Sequence, residues 1–304
     1  MTNTNKTPQA LSRMAFATLL LIALMMGANH VAARIAFNNG VDVPTAVAVR
    51  SLVTAMVVAL LVALQGASLQ ITGRQRGALA VIGLLIGVQS LCLYSSVARL
   101  PVALALLAFN TYPLWTAFWA WALYRRKPEP AVLMAMPVIL LGLALALDVM
   151  GAASGLGASV QWAQIGAGVA FALAAAATFG VALVVTQYEV AAVDGRVRTG
   201  ITMAIVGTVA LAVVGAQGGF HLPTAVAGWW GLAALTFLYG TAFTIMFTLL
   251  PKLGVVGSSP IMNVEPVFAL VLAWLLLGQS IAPLQIAGAL LVVGAVTALG
   301  LRRK

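Results

Sequence analysis

Apolar residues fill ten segments of the chain, and short polar stretches separate them. A helix needs about 20 apolar residues to cross the hydrocarbon layer of a bilayer, which is roughly 30 Å thick. The segments have that length, so the pattern predicts an all-α membrane protein with ten transmembrane helices. They lie near residues 14–37, 44–65, 78–98, 102–124, 131–150, 163–187, 199–216, 228–250, 255–277 and 284–301.

The second half of the chain repeats the first at an offset of 153 residues. Each copy holds five apolar segments, an odd number, so we predict two repeats, 1–150 and 151–304, that lie upside down relative to each other. Secondary transporters build two gates around one central site from inverted repeats of this kind. The matching pairs are Gly27 and Gly180, Gly87 and Gly240, Leu100 and Leu253, Asn110 and Asn263, Pro113 and Pro266, Trp121 and Trp274, and Pro130 and Pro283.

The composition agrees with a protein that resides in lipid. The chain is 62% hydrophobic and 7% charged, with a mean hydropathy of +1.07, and a soluble protein could not cover such a sequence with polar surface. Cys92 is the single cysteine, which excludes an intramolecular disulfide and a cysteine-based metal site. The net charge of +10 does not indicate nucleic-acid binding, because the basic residues fall in short loops.

The distribution of Lys and Arg predicts that both termini are cytoplasmic, since cytoplasmic loops carry an excess of these residues. In this orientation 13 of the 16 basic residues lie inside, whereas Arg34 and Arg99 lie outside and Arg50 lies within a helix. The apolar stretch at 15–26 could also be a cleaved signal peptide. It repeats as the helix around Gly180, so we predict that it is retained as the first span.

The second repeat carries a recognisable block of residues. The chain reads Asn-Val-Glu-Pro-Val-Phe-Ala at 263–269, Trp-Leu-Leu-Leu-Gly at 274–278 and Gln-Ile-Ala-Gly at 285–288. With this Glu-Pro helix, short Gly turn and Gly-dotted last helix, the chain resembles the EamA-type exporters of the drug/metabolite transporter superfamily over nearly its whole length. It departs from them at Gln279, where the family usually has Glu, and at Tyr112, which replaces the Glu in the first repeat.

The resemblance implies a bundle in which helices 1, 3, 4, 6, 8 and 9 surround a central cavity and helices 5 and 10 are peripheral. Transport would proceed by alternating access, through rocking of the two halves. The pattern is most similar to that of bacterial amino-acid exporters, including those that move aromatic amino acids. It therefore implies a multi-pass protein of the bacterial inner membrane, for which we expect a monomer, a small-molecule substrate and no cofactor.

Two asparagine–proline pairs mark the middle of helices 4 and 9. Asn110 and Asn263 each lie three residues before a proline, Pro113 or Pro266. Proline removes a backbone donor and kinks a helix, so each Asn either satisfies its kinked helix locally or lines the cavity and binds substrate. The two prolines are candidate gating bends.

Trp121 and Trp274 follow these asparagines on one helical stripe and point toward opposite mouths of the predicted cavity. They are candidate aromatic gates. Anchoring at the membrane interface, the commonest use of Trp in membrane proteins, is the alternative.

Ionisable residues inside a membrane are functional candidates because their burial is costly. Asn29 and His30 lie in helix 1, where His30 could move a proton or donate to a substrate carboxylate, whereas Arg34 is expected to snorkel to the interface. Glu265 is the only acid clearly inside a helix, and it could bind a substrate ammonium, carry a proton or pair with Arg50.

Further candidate substrate-binding residues are polar or aromatic side chains among small ones. Helix 3 places Ser90 and Tyr94 on the face of Gly83 and Gly87, and helix 8 places Thr241 beside Gly240. Tyr112 could line a cavity suited to bulky side chains. Close helix packing through the small residues is the alternative.

The motifs argue against other classes of protein. The chain lacks the Gly-x-x-x-x-Gly-Lys-[Ser/Thr] sequence of ATP-driven proteins and the His-Glu-x-x-His sequence of metalloproteases, and we expect no catalytic site and no metal. A filter-like Gly-rich segment, as in selective channels, is absent as well. Together with the resemblance, which implies export and amino acids as substrates, this predicts a secondary exporter of small organic solutes, with amino acids first. An exporter of other metabolites, such as nucleotide sugars or amphipathic drugs, and a channel are the alternatives.

Overall fold

The structure, a computed structural model, describes residues 13–66, 70–127, 130–152, 154–248 and 264–302. All regular secondary structure within these ranges is helical. The helices are α1 (Arg13–Asn38), α2 (Val43–Gln65), α3 (Gly73–Val97), α4 (Val102–Phe109), α5 (Tyr112–Tyr124), α6 (Pro130–Ala146), α7 (Ala158–Glu189), α8 (Gly195–Ala216), α9 (Val226–Thr248), α10 (Glu265–Leu277) and α11 (Pro283–Arg302).

The helices correspond one by one to the ten predicted segments, with α4 and α5 sharing the fourth. Seven spans of the described chain are long and apolar enough to cross a membrane, and α6, α10 and α11 are shorter apolar helices. The predicted beginning of the ninth segment, 255–263, lies outside the described residues. The sixth segment forms α7, which runs from Ala158 to Glu189 and is longer than predicted.

Local sequence signals set several helix ends. Asp42 caps α2 by accepting from the backbone N–H of Thr45, and Gly66 ends the helix in the left-handed conformation at φ 62°. Thr72 and Gln75 form a reciprocal capping box at the start of α3. Such caps satisfy backbone donors and acceptors that a helix end leaves without partners.

The fourth segment is broken in the middle, where a kinked but continuous helix was predicted. α4 ends with Asn110 as its C-cap, and α5 begins with Thr111 as its N-cap and Pro113 in its first turn. Proline has no N–H to donate to the carbonyl of Phe109, so the helical hydrogen-bond ladder is interrupted there. The repeat mate of Thr111, Val264, has the same backbone conformation, with φ/ψ of −82°/−4° against −71°/−7°.

The packing of the helices follows the sequence repeat. α1 packs on α9 and on α10, and the mates of these pairs, α7 with α3 and α7 with α5, are packed as well. The pairs α2 with α8 and α6 with α11 are each formed by two mates. Each packed pair thus has a counterpart made of the corresponding helices of the other repeat. This indicates a pseudo-two-fold axis between the two five-helix halves.

Contacts at glycines show the relative chain direction of corresponding helices that pack together. Along α2 and α8, Leu52 packs against Gly207, and Val58 packs against Gly200. The two helices therefore run antiparallel. In α6 and α11, Gly142 likewise lies against Val292 while Gly288 lies against Ala146, and this geometry agrees with the predicted inversion.

The mates Gly27 and Gly180 make equivalent contacts in the two halves. A Cβ at Gly27 would lie 3.0 Å from the carbonyl oxygen of Glu265 and 3.0 Å from the backbone nitrogen of Ala269. A Cβ at Gly180 would lie 2.9 Å from the backbone nitrogen of Thr116. Only glycine permits this approach of two helices, which brings the start of α10 against the middle of α1.

Large apolar side chains cover the outside of the bundle. Along α2, for example, Met56, Leu60 and Leu64 are all exposed. A contiguous apolar surface of this kind is unfavourable in water and suits contact with lipid chains.

Candidate functional site

Arg50 of α2 is buried in the middle of the helix bundle, where only 2% of the residue is exposed. Its Nη1 donates to the hydroxyl of Tyr94 at 2.9 Å and its Nη2 to Oγ of Ser90 at 3.1 Å. The guanidinium carbon lies 3.8 Å from the ring centroid of Tyr239 and 4.7 Å from that of Tyr94. The ring faces attract the cation through their quadrupoles, while all of these partners are neutral.

The helices present these groups for simple geometric reasons. Ser90 and Tyr94 are four residues apart and therefore share one face of α3. Tyr94 in turn donates to Oδ1 of Asn29 in α1 at 3.0 Å. Hydrogen bonds thus connect α2, α3 and α1 of the first half, and Tyr239 adds α9 of the second.

A pair of ionisable side chains, His30 and Glu265, lies beside the group around Arg50. Nε2 of His30 is 3.3 Å from Oε1 of Glu265, and the side chains are 4% and 22% exposed. Glu265 is the first residue of α10, where the positive end of the helix dipole favours a carboxylate. The close contact of Gly27 with α10 places His30, one turn further along α1, within reach of it.

The two groups form one polar cluster. The rings of His30 and Tyr94 are 5.5 Å apart, and Asn29 and His30 are adjacent in sequence. Three buried nitrogens of the cluster have no hydrogen-bond partner: Nδ2 of Asn29, Nδ1 of His30 and Nε of Arg50. The polar cluster consists of Asn29, His30, Arg50, Ser90, Tyr94, Tyr239 and Glu265.

The pairing of Glu265 with Arg50, one of the predicted alternatives, is wrong. Each has another partner because the helices α1 and α3 supply nearer groups. Glu265 meets His30 of α1, and Arg50 meets Tyr94 and Ser90 of α3. In this series of contacts, His30 and Tyr94 stand between the carboxylate and the guanidinium.

Arg34 contributes to a contact near the α3–α4 corner, which is predicted to face the periplasm. Its Nη1 donates to the carbonyls of Val97 at 2.6 Å and Leu100 at 3.3 Å. Nearby, the backbone N–H of Val102 donates to Oε1 of Gln279 at 3.1 Å. Arg34 thus ties α1 to this corner, where snorkelling was expected, and the substituted turn residue Gln279 ties the α10–α11 loop to it.

A charged cluster joins helix ends at the opposite face. Arg74 binds Glu189 through two hydrogen bonds, of 2.7 Å and 3.0 Å. Tyr124 donates to the same carboxylate at 3.0 Å, and its ring stacks on Tyr188 with centroids 4.2 Å apart. This cluster links the start of α3 to the ends of α5 and α7.

Other predicted site residues lie outside the polar cluster. Asn110 is buried at the break between α4 and α5. Tyr112 packs against the rings of Phe109 and Phe179, at centroid distances of 5.6 Å and 5.2 Å. Thr241 is half-buried in α9. The aromatic trio lies where the fourth and sixth helical segments meet, and its role as a cavity lining stays a prediction.

The remaining candidates concern the gates. Pro113 and Pro266 occupy the first turns of α5 and α10, while Asn263 lies outside the described residues. Trp121 and Trp274 are 45% and 61% exposed near the ends of these helices. Such exposure fits an interfacial anchor as well as an open mouth, so the gating role stays a prediction.

Tyr239 was not identified from the sequence. Its one signal is its position next to Gly240, the mate of Gly87, which marks a face of α9 that meets other helices. Arg50 was noted as the only central cation but not placed at the site. Within the described ranges, no cluster of three or more His, Cys, Asp or Glu side chains could hold a metal ion.

Comparison with known proteins identifies the architecture. The EamA-like transporter family matches residues 13–147 and again residues 166–301. A solved crystal structure of another protein, 19% identical, superposes with a TM-score of 0.61 and covers 96% of this chain and 99% of that one, which shows a shared fold. None of the curated proteins matches the chain. Since the family covers both halves, the chain belongs to the EamA-like transporter family.

Proposed function

We propose that the protein is a secondary transporter that exports small organic solutes, with amino acids as its first substrates. The observation that carries the proposal is the polar cluster, which lies among apolar helices and joins α1, α2 and α3 to α9 and α10 of the other half. A solute bound there would touch both repeats. Movement of one half against the other would then change the side from which the solute is reached.

The charges of the polar cluster support an amino acid. Glu265 offers a carboxylate to an ammonium group, and His30 and Asn29 carry buried nitrogens without partners. The rings of Tyr112, Phe109 and Phe179 lie together in the fourth and sixth segments and would suit a bulky apolar side chain. Export as the direction rests on the resemblance to exporters.

The two end contacts support alternating access. At the α3–α4 corner, Arg34 binds α1 to the end of α3, and Gln279 binds the α10–α11 loop to the start of α4. At the other face, the Arg74–Glu189 pair binds the start of α3 to the end of α7. In the bacterial inner membrane with cytoplasmic termini, these faces would be periplasmic and cytoplasmic. A gate at each face is what a carrier with one central site requires.

Counterflow in proteoliposomes tests the proposal. Vesicles with purified protein are preloaded with unlabelled tryptophan, threonine, methionine or a nucleotide sugar, and uptake of each labelled compound is measured with and without a pH gradient. Saturable exchange of amino acids is expected. Exchange of the nucleotide sugar alone would contradict the substrate class, and non-saturable uptake would indicate a channel.

A further inference from the structure

Arg50 is a buried cation whose partners carry no negative charge. Its guanidinium contacts the hydroxyls of Tyr94 and Ser90 and the ring of Tyr239. Among the described residues no carboxylate lies within ion-pair distance of it, and the central acid, Glu265, is bonded to His30. An uncompensated charge in a membrane interior is costly, so a group that the protein itself does not supply would complete this site.

The hydrogen bonds around Arg50 have a fixed direction. A guanidinium can only donate, so the oxygen of Tyr94 accepts from Nη1 and its proton goes to Oδ1 of Asn29. The amide oxygen of Asn29 is thereby used, and its Nδ2 is left as a buried donor without an acceptor. Nε of Arg50 is a second such donor.

These donors have the chemistry of a carboxylate site. Nε and one Nη of a guanidinium form a parallel pair of N–H groups, which a carboxylate accepts through both oxygens. Nε is buried and has no partner, while Nη1 and Nη2 each donate once, to Tyr94 and Ser90, and keep a second N–H for a ligand. Nδ2 of Asn29 adds a donor to the same pole, whereas the hydroxyl protons of Tyr94 and Ser90 go to Asn29 and Gln89.

We propose that Arg50 binds the carboxylate of the transported solute, with Nδ2 of Asn29 as an additional donor. The inference rests on the proposed function and sharpens it: the substrate carries a carboxylate, and the protein discriminates against the corresponding amine or amide at Arg50. Tyr239 holds the guanidinium in place from the second half, so binding at Arg50 engages both repeats.

Counterflow with matched solutes tests this role. Tryptophan, tryptophan amide and tryptamine are compared in wild type, Arg50→Gln and Arg50→Lys, with Arg99→Gln as the control because Arg99 is an exposed arginine whose Nη1 donates to a backbone carbonyl. The wild type is expected to exchange tryptophan at least about tenfold faster than tryptamine. Arg50→Gln should remove this preference, Arg50→Lys should retain part of it, and Arg99→Gln should keep it.

The outcomes separate the two proposals. If the Arg50 variants exchange tryptophan with the wild-type preference, the carboxylate role is overturned while the transporter stands. If the wild type exchanges no carboxylate-bearing solute, both are overturned. Should Arg50→Gln fail to fold, thermal unfolding of the wild-type protein decides: stabilisation by tryptophan but not by its amide supports the role of Arg50, and equal stabilisation by both contradicts it.

Discussion

His30 and Glu265 lie 3.3 Å apart, from Nε2 to Oε1, and join the first helix of one repeat to the start of α10 in the other. An imidazole beside a carboxylate can share or release one proton, and histidine changes its charge between about pH 5 and 8. The contact therefore places two ionisable side chains at a junction between the halves of the transporter.

Replacement of Glu265 by Gln should flatten the pH dependence of transport. The substitution removes the carboxylate that contacts His30 but keeps the size of the side chain. Counterflow measured in steps across about pH 5 to 8 checks this expectation. Glu189→Gln, which removes a carboxylate at the end of α7, is the control, and a wild-type pH profile for Glu265→Gln at normal protein levels would exclude a role in proton coupling.

Substitution of Gly180 by Val should destabilise the protein. Its Cβ would meet the backbone of Thr116 at 2.9 Å and the Cβ of Trp115 at 2.9 Å, and overpacking of this kind costs about 1–3 kcal/mol. Thermal unfolding in detergent measures the effect. Gly77→Val is the control, because a Cβ at Gly77 has nothing within 4 Å, and equal unfolding temperatures for both variants would refute the packing argument.

Arg34→Gln combined with Gln279→Ala should loosen the α3–α4 corner. The double variant removes the side-chain groups bonded to Val97, Leu100 and Val102. A cysteine introduced at the buried position Leu104, with Cys92 replaced by Ser, should then react faster with a thiol reagent applied from the periplasmic side.

The same cysteine reporter in Arg99→Gln provides the control for that experiment, since Arg99 lies at the same corner, donates within its own turn and contacts the ring of Phe171 rather than α1 or the α10–α11 loop. Equal reaction rates in all three backgrounds would show that the two side chains do not hold the corner closed.

Cysteines at Lys127 and Ser280 should be labelled from opposite sides of the membrane. Both positions are exposed and follow the repeat mates α5 and α10, which the inverted arrangement directs to different faces. Impermeant thiol reagents applied to intact cells and to inverted vesicles distinguish the faces in a Cys92→Ser background. Labelling of both cysteines from one side would contradict the inverted placement.

Hydropathy predicted the helices, and the internal repeat predicted which helices of the two halves correspond, because both are read from the order of residues along the chain. The interruption near Asn110 was predicted only as a kink, although Pro113 supplied the reason for a break. The partner of Arg50 was not predictable. Helices in lipid are apolar around their whole circumference, so one sequence does not show which face of α2 or α9 turns inward.

For the polar cluster, the sequence predicted several members but not their contacts with one another. His30, Asn29, Ser90, Tyr94 and Glu265 were selected because polar side chains are rare in apolar helices. Which of them meet depends on the rotation of each helix and on the approach that glycine allows, and these are properties of the packed bundle.

The break between α4 and α5 divides one span into two parts with different surroundings. The seven residues from Val102 to Ala108 are all buried in α4, whereas Leu114 is the one buried residue of α5. A helix without the interruption would transmit any tilt along its full length. In the proposed transport cycle, α5 would swing about Asn110 while the buried α4 stays in place, so one face of the bundle would open while the other stays closed.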